Sequence, residues 1–262
     1  MLLEAKNVSK FFGGVKALTD VSFAVKEGEI LGMIGPNGAG KTTMFSCMAG
    51  VFPPTEGEVL MFGKNVNALP THKRVEMGMA RTFQNIKLFA NCSAAENVMA
   101  GRHCRTKNWL LPTIFCTPGG RKEEKECRES ALSYLEFVGL GEKSSLFARN
   151  LPYGEQRSLE IARALATEPK VILLDEPAAG MNEIEKDALQ VLVQRIREEL
   201  KITVLIIEHD MKVVMNLCDR IVVLNQGEKI CEGTPQVVRT DEKVIEAYLG
   251  SSQGRRERFV KH

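Results

Sequence analysis

The stretch GPNGAGKT, Gly35 to Thr42, constrains the fold more than any other part of the chain. It fits G-x-x-x-x-G-K-[S/T], with the apolar run EILGMI leading in and the helical run KTTMFSCMAG leading out. Glycines at 35, 38 and 40 let the backbone curl so that several N–H groups face one point. A helix N-terminus at the same place adds about half a positive charge. The loop Gly35, Pro36, Asn37, Gly38, Ala39 and Gly40, continued by Lys41, Thr42 and Thr43, is therefore built to cradle a polyphosphate. Lys41 can reach the outer phosphates, and the Thr42 hydroxyl can ligate Mg2+.

A phosphate loop of this kind needs an acidic partner on another strand, and VILLDEP supplies one. Asp175 ends a short apolar run, where a carboxylate can hold the metal directly or through water. Glu176 follows, placed to polarise an attacking water. His209 stands just past the apolar run TVLII. Strand ends near 34, 174 and 207 would bring Lys41, Asp175 and His209 to one edge of an open α/β sheet, where ligands bind at the carboxyl ends of strands. Gln84, in ARTFQN, carries no signal by composition alone.

The wider pattern agrees with an α/β chain. Residues 1 to 34 alternate in the strand manner, and helical spacing dominates from about 121 to 148, with Leu132, Leu135 and Val138 on one face. Short apolar runs at 171–174, 203–207 and 221–224 then alternate with helical stretches, predicting a largely parallel sheet covered on both faces. A length of 262 residues fits one to two domains, and 44% apolar residues suffice for a full core.

Charge and cysteine usage exclude other classes. The basic residues Arg255, Arg256, Arg258 and Lys261, with Glu257, sit in the tail, and setting them aside from the 35 basic and 33 acidic residues leaves a body near −1. That is not the footprint of a nucleic-acid binder. The seven cysteines (47, 92, 104, 116, 127, 218 and 231) form no C-x-x-C, which argues against a disulfide framework or a zinc site. No apolar run approaches the ~18 residues of a membrane span, and Glu4 interrupts any leader-like start, so an intracellular protein is expected.

In this order and spacing, Phe12 before Gly13-Gly14, GPNGAGKTT, Gln84, LPYGEQ (151–156), VILLDEP, AAGMN (178–182) and IIEHDM resemble an ABC-transporter ATPase subunit. The resemblance runs to about Gly250 and looks strongest toward the ATP-binding subunits of branched-chain amino acid importers, through KFFGGVKAL, ARTFQN, the Tyr153-Gly154 form of LPYGEQ, LDEPAAGMN, EHDMKVVM and EAYLG. It implies a P-loop NTPase core, a mixed sheet flanked by helices with a small antiparallel β subdomain and an inserted α-helical subdomain. On that plan 1–250 is a single ATPase domain, with 1–84 and 151–250 as the nucleotide-binding core and 85–150 as the helical subdomain, and 251–262 is a flexible basic tail.

The resemblance also implies roles. The ligands are ATP and Mg2+. Phe12 stacks on adenine, Gln84 contacts the metal and water, Glu176 is the catalytic base, and His209 holds the γ-phosphate and attacking water. Leu151, Pro152, Tyr153, Gly154, Glu155 and Gln156 form a signature that completes the ATP site of a second subunit, in a homo- or heterodimer that closes head to tail. Membrane permease subunits are the direct partners, a periplasmic or extracellular solute-binding protein an indirect one, and the location is the cytoplasmic face of the inner membrane. A lipid or lipopolysaccharide exporter uses nearly the same motifs and is the alternative; a soluble ABC protein or a small P-loop kinase fits less well. The usual signature is L-S-G-G-Q, and Pro152 replaces its serine, removing a hydroxyl donor without supplying an N–H. Slower closure is expected at the site this signature completes. The stretch 102–120, with Trp109, reads either as a permease-docking surface or as a loop packing its own hydrophobes.

Overall fold

The computed structural model describes residues 1–105 and 118–249. The stretch 102–120 around Trp109, which reads as either a docking surface or a self-packed loop, and the basic tail lie largely outside the described residues. The chain divides into two compact units, one formed by Met1–Thr71 with Ile196–His262 and the other by His72–Arg195. The second unit thus keeps 151–195 with the segment that the sequence assigns to the helical subdomain.

In the first unit, β1 (Leu3–Phe12), β2 (Val15–Val25), β4 (Glu56–Met61) and β5 (Lys64–Asn65) form an antiparallel sheet in the order β2-β1-β4-β5. Leu3 is central to it, opposite Val25 on one side and Met61 on the other. A second layer contains β3 (Ile30–Ile34), β8 (Thr203–Ile207), β9 (Arg220–Asn225) and β10 (Glu228–Gly233). β3 runs parallel to both β8 and β9, and β10 returns antiparallel on β9. Every residue of β3 and β8 is buried, which is why both read as unbroken apolar runs rather than alternations. Helix α1 (Lys41–Ala49) follows β3 and is buried along most of its length. It stops at Gly50, whose left-handed backbone returns N–H bonds to Cys47 and Ser46.

In the second unit, β6 (Met79–Arg81) pairs in parallel with β7 (Val171–Asp175). Three helices make its separate core: α3 (Ala94–Arg102), α4 (Pro118–Phe137) and α5 (Tyr153–Leu165), in chain order after the short α2 (Thr71–Glu76). Ala94, Val98, Ala131, Leu135, Leu159 and Ala162 meet there. A Cβ added at Gly101 would lie 2.2 Å from the Arg163 carbonyl oxygen, so only glycine permits this approach of α3 to α5. α3 opens with a capping box in which the Ser93 hydroxyl accepts from the Glu96 N–H and the Glu96 carboxylate accepts from the Ser93 N–H. Helix α6 (Glu183–Glu198) carries the chain back into the first unit, followed by α7 (Met211–Leu217), α8 (Pro235–Thr240) and α9 (Glu242–Leu249). Among the described residues no helix is long and apolar enough to cross a membrane.

Candidate functional site

The phosphate loop is held from outside as well as by its own turn. Gly35, Gly38 and Gly40 have φ of 153°, 81° and 99°. A Cβ at Gly40 would lie 2.7 Å from the Ala17 carbonyl oxygen, and one at Gly35 only 2.1 Å from that of Leu224. Both glycines are therefore required by space as well as by dihedral angle. The Ala39 carbonyl accepts from the Gly227 N–H at 3.1 Å, and the Gly227 carbonyl accepts from the Thr19 N–H at 2.8 Å. The turn between β9 and β10 thus clamps the loop. Lys41 is buried, and its Nζ donates to the carbonyls of Gly35 at 2.7 Å and Pro36 at 3.0 Å, which keeps the ammonium inside the curl. Asn37, Gly38 and Thr42 are exposed at the loop apex and the first turn of α1.

Phe12 ends β1 with 46% of its surface exposed. Phe52 packs edge-on against it at 5.3 Å, and Lys10 Nζ lies 5.2 Å from its centroid. The same unit carries His209, whose side chain is 60% exposed and whose Nδ1 lies 4.0 Å from Glu208 Oε2. The backbone N–H of His209 donates to that same buried carboxylate at 3.2 Å, fixing the residue between β8 and α7. In the sequence Tyr248, on α9, stands out only as part of EAYLG. Its hydroxyl stands at the backbone N–H of Gly35; burial pushes its pKa up while that N–H pulls it down.

The second unit carries the acidic residues. Asp175 is 1% exposed. Its Oδ2 accepts from Arg81 Nη2 at 2.8 Å, and its backbone N–H donates to Thr82 Oγ1 at 3.2 Å. Its other oxygen, Oδ1, is buried with no hydrogen-bond partner among the described residues. Such an oxygen is costly unless something coordinates it, so the donor set fits a hard divalent cation. Glu176, next in the chain, has φ of 47°, a left-handed conformation uncommon for a residue with a side chain. Its Oε2 accepts from Gln84 Nε2 at 3.0 Å, so two residues far apart in the sequence meet.

The signature stretch opens α5. Pro152 is the N-cap residue and offers no side-chain cap bond, while its carbonyl accepts from the Gln156 N–H. The N–H groups of Tyr153, Gly154 and Glu155 belong to the first helical turn, where no intrahelical carbonyl lies ahead of them. Leu151 is buried, and its carbonyl accepts from Gln156 Nε2 at 2.8 Å. Glu155 pairs with Lys143 at 2.5 Å. Gly180 of AAGMN packs on the Tyr153 ring, and Glu185 reaches to within 2.6 Å of where a Cβ on Gly154 would stand.

A sequence comparison accounts for this set of loops. Residues 18–179 match the ABC transporter family profile. The chain belongs to the ABC transporter ATPases. A second profile, that of the branched-chain amino acid ATP-binding cassette transporters, matches residues 228–253 of the cassette. The cassette is 45% identical to the high-affinity branched-chain amino acid transport ATP-binding protein BraF of Pseudomonas aeruginosa, over 96% of this chain and 98% of that protein. LivG of Escherichia coli K12, named for the same transport, is 41% identical over the same shares. LptB of Acidithiobacillus ferridurans, named for lipopolysaccharide export, is 36% identical over 95% of the chain and 97% of its own length. Among solved structures, the ADP conformation of an ABC-transporter cassette superposes with a TM-score of 0.83 at 33% identity, covering 95% of this chain and 99% of that one. The ABC ATPase fold and nucleotide binding expected from the sequence hold.

Sequence reasoning missed three groups. Arg81 lies beside the indicated Gln84, yet nothing in ARTFQN shows that it faces a carboxylate. Nothing in the sequence singles out Arg157 and Glu160, three residues apart on α5, yet both are buried. Tyr248 near the end of the chain reaches the phosphate loop, which no local pattern announces.

Proposed function

We propose that this cassette hydrolyses ATP to drive import of branched-chain or related amino acids through a membrane permease. The observation that carries the choice of solute is the match of residues 228–253 to the branched-chain amino acid cassette profile. The greater identity to BraF and LivG than to LptB points the same way.

In this reading Phe12 stacks on the adenine, and the loop from Gly35 to Thr43 cradles the phosphates with Lys41. Asp175, Thr42 and Gln84 hold Mg2+, which when bound neutralises charge on the β- and γ-phosphates. Glu176 accepts the proton of the attacking water, and His209 orients that water and the γ-phosphate. The first turn of α5 completes the ATP site of a second ATPase subunit by presenting N–H groups to its γ-phosphate. A solved relative described as a dimeric post-hydrolysis cassette with ADP and phosphate, at TM-score 0.76 and 28% identity, supports the two-subunit arrangement. The cassette would then sit peripherally on the cytoplasmic face of the membrane, within an assembly that a solute-binding protein supplies. Residues 1–250 act as one ATPase domain.

The test is uptake of radiolabelled leucine, isoleucine and valine by cells whose only copy carries Glu176→Gln. Uptake should fall to background while purified protein still binds Mg–ATP. Undiminished uptake accompanied by defective lipopolysaccharide export would replace import with the exporter reading.

A further inference from the structure

The loop that carries Gln84 combines exposed side chains with a firmly held backbone. Phe83 and Gln84 are both exposed, which is ordinary for a mobile loop. Beneath them, however, Arg157 of α5 is fully buried and Glu160 is 1% exposed. Arg157 Nη1 donates to the Phe83 carbonyl at 2.7 Å, and Nη2 donates to the Gln84 carbonyl at 2.9 Å. Glu160 Oε1 accepts from the N–H groups of Phe83 and Lys87, both at 3.4 Å. The pair closes on itself through Nη1 to Glu160 Oε2 at 2.8 Å. Nη2 also reaches the Tyr153 hydroxyl at 3.4 Å, inside the signature.

A buried ion pair is weak evidence for stability, because desolvation offsets much of its Coulomb attraction. What it supplies here is geometry. Two successive carbonyls match the rigid guanidinium fork, which a lysine cannot reproduce. Gln84, held at its backbone, then donates to Glu176 at 3.0 Å.

We infer that Arg157, locked by Glu160, is a positioning residue that sets Gln84 against Glu176. The helix that offers its first turn to the partner's nucleotide thereby also sets the hydrolytic geometry of its own subunit. A small displacement of α5 reaches the Gln84 backbone through the buried Arg157 side chain, which holds two successive carbonyls at once. This rests on the roles of Gln84 and Glu176 proposed above.

The decisive variant is Arg157→Met with Glu160→Leu, which removes both members of the buried pair together and takes from the partly exposed Arg163 only a longer 4.0 Å contact. Arg157→Lys, which keeps the charge without the fork, serves as the second variant. Three measurements are made on the full chain: thermal melting, amide hydrogen exchange of residues 83–87, and Mg–ATP affinity. ATPase rates follow in the assembled transporter. The Phe83 and Lys87 amides should exchange faster in the double variant, with no matching change in peptides from the phosphate loop. The kcat should fall on the order of 10–100-fold, as when a group that orients a functional ligand is lost, while KM stays within about twofold. Arg157→Lys should show the same split between kcat and KM. Unchanged exchange at 83 and 87, or faster exchange with an unaltered kcat, overturns the inference. Glu176→Gln run in parallel separates the two ideas: a parental rate there would sink the assignment of Glu176, while the exchange data would still report the link from α5 to the loop.

Discussion

Removing Arg81 should expose how much the cassette depends on neutralising Asp175. The carboxylate is nearly inaccessible, its Oδ2 is engaged by Arg81 at 2.8 Å, and its Oδ1 has no partner among the described residues. Arg81→Met therefore leaves a buried carboxylate without its counter-charge, a change that costs roughly 3–5 kcal/mol. For a chain of this size each kcal/mol moves the melting temperature by about 2–4 °C, so the variant should melt roughly 6–20 °C below the parent. Two further measurements assign the cause. Arg81→Met combined with Asp175→Asn should recover much of the loss, because no uncompensated charge remains. Mg–ATP should raise the melting temperature of the single variant more than that of the parent, since the cation supplies the missing positive charge and acts only on the native state. A single variant within about 1 kcal/mol of the parent would refute the reasoning, because a shift that small fits a surface ion pair.

Three shorter predictions concern other positions. Pro152→Ser restores a hydroxyl donor at the start of α5; a hydrogen bond to a charged group contributes about 1.5–3 kcal/mol, so turnover of the assembled transporter should rise roughly tenfold or more, and an unchanged rate would sink the idea of a weakened site. Gly40→Ala should destabilise by at least about 1 kcal/mol from the left-handed backbone alone, with a further loss from contact with the Ala17 carbonyl, measured by chemical denaturation. Burial pushes the Cys218 thiol well above its usual range, so it should stay protonated and resist iodoacetamide in the folded protein even at alkaline pH, reacting only on unfolding.

What could be read from the sequence was local. The phosphate loop, its strand and its helix lie within some twenty consecutive residues, and each glycine there answers a need of its own backbone. The apolar runs of β3, β7, β8 and β9 were equally legible, because buried parallel strands leave an uninterrupted signature. Arg157 and Glu160 were hidden for the opposite reason. Spacing on a helix shows which residues share a face but not what lies over that face, and here the cover is a loop more than 70 residues away in sequence. The left-handed backbone of Glu176 was also hidden, since a residue held at positive φ departs from the propensities that sequence reading relies on.

The clamp at Gly227 has a consequence for how the protein is made. Ala39 leaves the ribosome well before the turn whose N–H it binds, because Gly227 lies far later in the chain. The nascent chain therefore carries a phosphate loop lacking one of its walls until that turn has emerged. Tight nucleotide retention should begin only once β9 and β10 have emerged, so ATP captured by ribosome-stalled chains of increasing length would appear as a single step at that point rather than a gradual rise. The same dependence marks the β9–β10 turn as a poor place for a tag or a split site, even though it lies far in sequence from the glycine-rich loop it clamps.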